Sequence, residues 1–239
     1  MNYNNLMREG YTSDELRMVN TVLPSLMRKV YTWMTLAMVI TAFTAYGVAH
    51  NPTLLQMIYS SSFALILLCV AELGLVFYLS ARISTLSLTT ATIMFIVYSA
   101  LNGVVLSSVF IIYTQESLVQ VFLVTACTFA VMALSGYRTS RNLSKVGQIL
   151  FMALIGLIIA TIVNIFLKSS GLNMILNYLS VLIFVGLTAW DSQKIKHMLM
   201  ACEDMGEGAQ KVALLGSLTL YLDFINLFLY LLRIFGRRD

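Results

Sequence analysis

The sequence places a carboxylate, Asp223, in the middle of an apolar run long enough to cross a membrane, LTLYLDFINLFLYLLRIFG. An Asp at the centre of a membrane helix costs about 2.5–3.5 kcal/mol on insertion scales. Residues three, four and seven apart share a helix face, so Asp223 shares one with Gly216, Thr219, Asn226 and Tyr230. This narrow polar stripe predicts a helix that points one face at a polar partner or at water. A structural hydrogen-bond network that locks the helix in place is the alternative.

Three further charged residues accompany Asp223. Asp191 lies in GLTAWDSQKIK, at the end of the preceding apolar run, where an ordinary membrane-boundary residue is the alternative. Glu72 is a second costly acid, deep in CVAELGLVFYLSAR, and Arg82 ends that run. Arg82 is either an interface anchor or an ion-pair partner for a carboxylate at the mouth of the bundle. The predicted pathway or polar network consists of Glu72, Asn102, Thr219 and Asn226.

Several familiar sites are missing from the sequence. His50 and His197 are its two histidines and stand far apart, which excludes a zinc protease of the H-E-x-x-H kind. There is no glycine-rich phosphate loop, no lysine inside the last run for a retinal Schiff base, and no EF-hand spacing in CEDMGEGAQK. Cys69, Cys127 and Cys202 suit neither a metal cage nor a disulfide framework. We therefore predict no resident cofactor and no enzymatic activity.

The composition indicates a membrane protein. Of the 239 residues, 59% are hydrophobic and 11% are charged, whereas a soluble domain is nearer half apolar and a quarter charged. Almost the whole chain is therefore predicted to lie in a membrane as one compact helical bundle. The net charge of +4 comes from short basic clusters beside the apolar runs, which suits lipid headgroups rather than nucleic acid.

Seven apolar runs are near or above the roughly 18–20 residues that cross a bilayer. They cover 30–49, 54–80, 86–113, 117–136, 147–167, 173–190 and 212–232. Long unbroken runs do not alternate as barrel strands do, so we predict an all-α, seven-helix transmembrane domain over 30–239. Residues 1–29 are predicted to be a polar N-terminal tail. In it, Thr12 and Glu15 form a capping box that favours a short interfacial helix, with a loose tail as the alternative.

Small residues spaced by four predict close helix contacts in the third and fifth runs, because they let helix backbones approach. They are Ser99, Gly103 and Ser107 in the third run and Gly156, Ala160 and Asn164 in the fifth.

Lysines and arginines predict the orientation, because they favour cytoplasmic loops. They gather in the tail and in the loops after the second, fourth and sixth runs, whereas the opposite loops hold Lys168 alone. The N-terminus is therefore predicted to be cytoplasmic. Seven crossings then leave Arg233, Arg237 and Arg238 outside. Either the C-terminus is an exception or the last segment is re-entrant, and we favour seven crossings.

Three stretches, MFIVYSALNGVVLSSVF, GLTAWDSQKIK and LTLYLDFINLFLYLLRIFG, together resemble the Bax inhibitor-1 family, the transmembrane Bax-inhibitor-motif proteins, in a bacterial-sized form. The resemblance spans residues 30–238. It implies a seven-helix bundle in a bacterial cytoplasmic membrane, with the last helix at its centre and the other six around it. It also implies a pH-sensitive calcium leak, a pair formed by Asp191 and Asp223, and a latch arginine at Arg82.

The implied pair supplies a mechanism. Two carboxylates in contact cannot both ionise cheaply, so they take up and lose protons as a unit. The resemblance thus makes Asp191 and Asp223 a pH-sensing dyad and the oxygen ligands that contact Ca²⁺, the permeant hard cation, in transit. With both acids ionised, Arg82 can hold Asp191 and close the cytoplasmic mouth, and protonation removes that attraction. The expected partners are therefore the lipid bilayer, Ca²⁺ and protons.

Two other functions compete with the leak. A non-conducting regulator of a stress response or of a membrane protease would act on an unidentified membrane-protein partner, and nothing in the sequence excludes it. An intramembrane aspartyl protease also needs two aspartates on adjacent late helices. That class carries Gly-x-Gly-Asp and Pro-Ala-Leu motifs, whereas LYL precedes Asp223 here and the chain's two prolines are Pro24 and Pro52. The protease is therefore the remote alternative.

Overall fold

The computed structural model describes residues 21–202 and 206–238. Nine helices follow one another through those residues: α1 (Leu23–Ala49), α2 (Pro52–Tyr59), α3 (Ser62–Arg82), α4 (Leu88–Leu106), α5 (Val109–Ile112), α6 (Gln115–Arg138), α7 (Ser144–Leu167), α8 (Ser170–Met200) and α9 (Glu207–Phe235). The same residues contain no β-strand, only an isolated bridge between Tyr113 and Arg238. The capping box at Thr12 and Glu15 lies outside the described residues, so the interfacial helix stays a prediction.

Seven helical spans in the described part of the chain are long and apolar enough to cross a membrane. They are α1, α3, α4 together with α5, α6, α7, α8 and α9. The predicted all-α membrane protein with seven transmembrane helices is therefore confirmed. Some helices extend beyond the apolar runs. Because α1 begins at Leu23, Arg28 and Lys29 belong to the first helix rather than to the tail, and α8 continues past Asp191 to Met200.

Two of the predicted helices, over 54–80 and 86–113, are interrupted. Asn51 and Ser61 cap the helices that follow them, α2 and α3, through side-chain oxygens that accept backbone N–H groups. Ser107 ends α4, and its hydroxyl donates to the preceding turn of backbone at 2.7 Å. The unbroken helices predicted over both ranges are therefore wrong at Ser61 and at Ser107. Local side-chain bonds compete with the helical backbone there, and hydropathy does not register them.

Glycines let two pairs of helices approach closely. A Cβ at Gly103 of α4 would lie 2.6 Å from the Thr41 carbonyl oxygen of α1, and one at Gly136 of α6 would lie 1.9 Å from the Ala189 carbonyl oxygen of α8. The small-residue pattern of the third run is thus confirmed at Gly103. The pattern of the fifth run is wrong at Gly156, where a Cβ would meet nothing within 4 Å. Small residues permit a close approach but do not show which face has a partner.

The last helix is the most buried of the seven spans. Within its most apolar window 61% of residues are buried, compared with 6% in α3 and in α7. It packs against α1, α4, α6 and α8, while α3 packs on α2 and α4 and α7 packs on α8. The position of the last helix at the centre of the bundle, surrounded by all six others, stays a prediction.

Hydrogen bonds show which helix ends share a side of the bundle. Glu207, at the start of α9, accepts from the Leu88 N–H at the start of α4 at 3.1 Å. Near the end of α8, Gln193 accepts from the Leu143 N–H and donates to the Arg141 carbonyl, both at 2.8 Å, just before α7. We call this the basic-loop side, because the loops after α3, α6 and α8 lie on it. That it faces the cytoplasm stays a prediction.

The C-terminus lies on the opposite side. The Thr114 N–H, just before α6, donates to the Arg237 carbonyl at 3.1 Å, and the Arg237 N–H donates to Ser117 Oγ at 2.9 Å. Because α9 is one unbroken helix, it crosses the bundle once and does not return. The structure therefore has seven crossings with Arg233 and Arg238 opposite the basic loops, and it does not have the re-entrant end.

The close contact between α6 and α8 predicts that an alanine at Gly136 destabilises the protein, whereas an alanine at a glycine without such a contact does not. Gly136→Ala should destabilise the protein by about 1–3 kcal/mol, because the added carbon meets backbone that cannot yield. Gly74→Ala on α3 is the matched control, since a Cβ there has nothing within 4 Å and alanine favours a helix by up to about 1 kcal/mol. Thermal unfolding in detergent should show a lower midpoint for Gly136→Ala alone. Equal midpoints for both variants would contradict the contact.

Candidate functional site

Asp191 of α8 and Asp223 of α9 line one cavity of about 780 Å³. Both are buried, with 7% of Asp191 and 5% of Asp223 exposed, and their helices pack against each other. The predicted end of the helix at Asp191 is wrong, because α8 continues for nine residues to Met200, or about 13 Å at 1.5 Å per residue. The position of Asp191 relative to the membrane boundary stays a prediction. Both aspartates therefore lie well inside their helices, and the structure brings them to the same site.

The segment of α8 that carries Asp191 is held from two neighbouring helices. Gly136 of α6 packs directly against the Ala189 backbone, and Gly147 of α7 packs directly against the Trp190 ring. One residue beyond Asp191, the Ser192 hydroxyl donates to a carbonyl oxygen of α6 at 2.7 Å. These contacts leave the helix little freedom to rotate, so they fix the face on which Asp191 reaches the cavity.

The electrostatics of the site are set first by the burial of both carboxylates and then by the repulsion between them. Asp223 and Asp191 are close enough for their ionised forms to repel each other. Asp223 Oδ2 is fully buried and has no hydrogen-bond partner among the described residues. Leaving a buried polar atom unpaired costs about 1–3 kcal/mol, and more when the group is charged. The nearest compensating cation is Lys194, one turn after Asp191, whose charge acts on that carboxylate.

The polar stripe of the last helix faces this cavity. Thr219, Asn226 and Tyr230 all line it, as the spacing predicts. Thr219 Oγ1 donates to the backbone one turn earlier at 3.1 Å, and Asn226 Nδ2 does the same at 2.8 Å. Neither hydrogen bond reaches Asp223. The described bonds of the stripe therefore do not form a network that locks α9 through its carboxylate.

Glu72 and Asn102 form a second polar site, between α3 and α4. The Asn102 amide donates to Glu72 Oε1, and Tyr98 lies near the Glu72 carboxyl group. The Tyr98 ring contacts the Tyr221 ring of α9 with centroids 6.0 Å apart. Neither Glu72 nor Asn102 lines the aspartate cavity. The structure thus joins these two candidates to each other but not to Asp191 and Asp223.

Arg82 is not brought to the aspartates in this structure. It is exposed at the end of α3, and the one ion pair within residues 21–202 and 206–238 joins Lys211 to Glu207 at 3.0 Å. The basic residue beside Asp191 is instead Lys194, which the sequence reasoning did not single out. Its position three residues after Asp191 could have revealed it, because residues so spaced are neighbours on a helix.

No resident metal site is visible in the part of the chain that the structure describes, which contains no cluster of three or more His, Cys, Asp or Glu side chains. A calcium ion normally takes six to eight oxygen ligands. The two carboxylates of the cavity therefore suit brief contact with a passing ion better than its retention, and that contact stays a prediction.

Comparison with known proteins places this fold in a family. Residues 23–239 match the family model described as "Inhibitor of apoptosis-promoting Bax1". Inner membrane protein YbhL of Escherichia coli K12 is 46% identical over 227 residues, covering 95% of this chain and 97% of its own. The chain belongs to the Bax inhibitor-1 family, as its motifs predicted.

Two further relatives show that the match covers most of both chains in other bacteria. A Borreliella burgdorferi protein is 46% identical over 210 residues, covering 88% of this chain and 90% of its own. A Rickettsia prowazekii protein is 41% identical over 212 residues, covering 89% of each chain.

The unpaired oxygen of Asp223 predicts that this carboxylate lowers the free energy of unfolding of the protein. Asp223→Asn should raise the thermal midpoint in detergent at about pH 8, because the amide is uncharged and is not repelled by Asp191. Ser217→Ala is a control on the same helix, since it removes a satisfied 2.7 Å hydrogen bond and should not raise the midpoint. A lower midpoint for Asp223→Asn would show that the carboxylate locks the fold, contrary to this account.

Proposed function

We propose that this protein is a pH-sensitive calcium leak channel gated by the Asp191–Asp223 pair. The observation that supports it is one cavity, between the membrane-spanning helices α7, α8 and α9, that is lined by two buried carboxylates from neighbouring helices. Ionisable residues at such a position are rare and commonly mark an ion or proton pathway. An apolar scaffold would have no reason to retain an unpaired carboxylate oxygen.

The proposed location is the bacterial inner membrane, with the N-terminus in the cytoplasm. The Escherichia coli relative is named an inner membrane protein and aligns with 95% of this chain. The basic loops after α3, α6 and α8 support a cytoplasmic position for their side of the bundle, because lysine and arginine favour that side. The C-terminal arginines would then face outwards.

The proposed gating uses the charge of the aspartate pair. When both carboxylates are ionised, the cavity carries the negative charge and the oxygen ligands that attract Ca²⁺, and Asp191 can also hold a cation at the basic-loop end. One proton shared by the pair relieves the repulsion and weakens its hold on that cation. In the latch mechanism the cation is Arg82, which would have to move from its exposed position at the end of α3 towards α8.

Calcium entry into liposomes between about pH 6 and 8 tests the proposal, a window set by carboxylates that repel each other. Asp191→Asn and Asp223→Asn should each remove the pH dependence, because the remaining carboxylate no longer meets a like charge. Asp191→Asn should leave the leak more open and Asp223→Asn more closed. The double variant should show no pH dependence either, since residues that act as a unit are not additive.

The control for this experiment is Glu116→Gln, which neutralises an exposed acid at the start of α6 and should retain the wild-type pH response. A full pH response in both single aspartate variants would remove the pair from the gating mechanism. Absence of calcium entry with the purified wild-type protein at every pH would instead favour the non-conducting regulator.

A further inference from the structure

Two cavities meet at Trp190 and Lys194 of α8. Both side chains line the aspartate cavity, and both also line a second cavity of about 470 Å³ on the basic-loop side. We call this second cavity the polar cleft. Its other lining residues are mostly polar, and they are Ser144, Gln148, Gln193, His197, Met198 and Ala201. A cation that leaves the aspartate cavity towards the basic-loop side by this route passes these two side chains.

The Trp190 ring is a fixed part of this boundary. A Cβ at Gly147 of α7 would lie 2.1 Å from the Trp190 ring atoms Cδ2 and Cε2, so the ring rests directly on the α7 backbone. A larger residue at position 147 would displace it. The α7 helix therefore holds the ring between the two cavities.

Lys194 supplies the charge at this boundary. Its Nζ lies 5.1 Å from the centroid of the Trp190 ring, within the range of a cation–π interaction, and its charge also acts on Asp191. The side chain is exposed and borders both cavities. It can therefore hinder an ion through its charge rather than by filling the space between the cavities.

We propose that Lys194, seated on the Trp190 ring, is a positive barrier that limits the passage of cations between the aspartate cavity and the polar cleft. This proposal rests on the proposed function, because it assigns a rate-limiting charge to the same pathway. It needs no movement of α3, unlike a latch at Arg82. It also assigns a role to the ring, which is to hold an ammonium group where the linings of the two cavities meet.

Charge-changing variants test the barrier in the liposome assay at about pH 7. Lys194→Gln should raise the initial rate of calcium entry on the order of tenfold, since it removes a unit charge close to a divalent ion. Lys194→Arg should stay near the wild-type rate. Lys196→Gln is the matched control, because Lys196 donates to the Tyr137 carbonyl at 3.0 Å and lines neither cavity. An unchanged rate in Lys194→Gln, or an equal rise in Lys196→Gln, would overturn the proposal.

A labelling experiment separates this barrier from calcium conduction itself. Thr219→Cys, in a chain whose three natural cysteines are replaced by alanine, places a thiol in the aspartate cavity. Cationic and neutral methanethiosulfonates are then applied from the basic-loop side. Lys194→Gln should accelerate the cationic reagent several-fold relative to the neutral one. An unchanged ratio would overturn the barrier even if the protein conducts, whereas a changed ratio without calcium entry would support the barrier and contradict the leak.

Discussion

The burial of two carboxylates, Asp191 and Asp223, at one cavity is the constraint on which the rest of this structure depends. Two carboxylates in the interior of a membrane bundle destabilise it unless neighbouring groups hold them in place. Close packing at glycines provides that support: Gly136 of α6 and Gly147 of α7 hold α8 just before Asp191, and a Cβ at Gly216 of α9 would lie 2.9 Å from an Ile195 carbon of α8. The aspartates can therefore remain close without separating their helices.

The same packing buries the membrane spans to different degrees. α8 and α9 are buried along much of their length, whereas α3 and α7 have most of their surface outside the bundle. The aspartate cavity lies where α7, α8 and α9 meet, so one of its walls is a weakly buried helix. Gly147 of α7 nevertheless rests directly on the Trp190 ring, so this wall is fixed to α8 at that point.

The number of spans and the inward face of the last helix could be predicted from the sequence, because hydropathy and helical spacing report them directly. The length of α8 could not be predicted in this way. The charges after Asp191 end the apolar run, but the helix continues because Ile195 and Leu199 bury one face, with 1% and 0% exposed. In a loop, Lys194 would have no fixed position relative to Asp191, whereas in α8 the two residues are neighbours on one face. The break at Ser61 could not be predicted from hydropathy either. The cap is a single hydrogen bond from the Ser61 side chain, whereas hydropathy is averaged over many residues.

Infrared difference spectroscopy of the protein in liposomes tests the shared proton most directly. Between about pH 6 and 8, the wild-type protein should lose a C=O stretching band of one protonated carboxyl group, because the pair gives up its proton as a unit in that window. The band should disappear at a lower pH in Asp191→Asn and in Asp223→Asn, because the remaining carboxyl group stays buried but has no like charge beside it. An unchanged band in either variant would show that Asp191 and Asp223 do not share a proton.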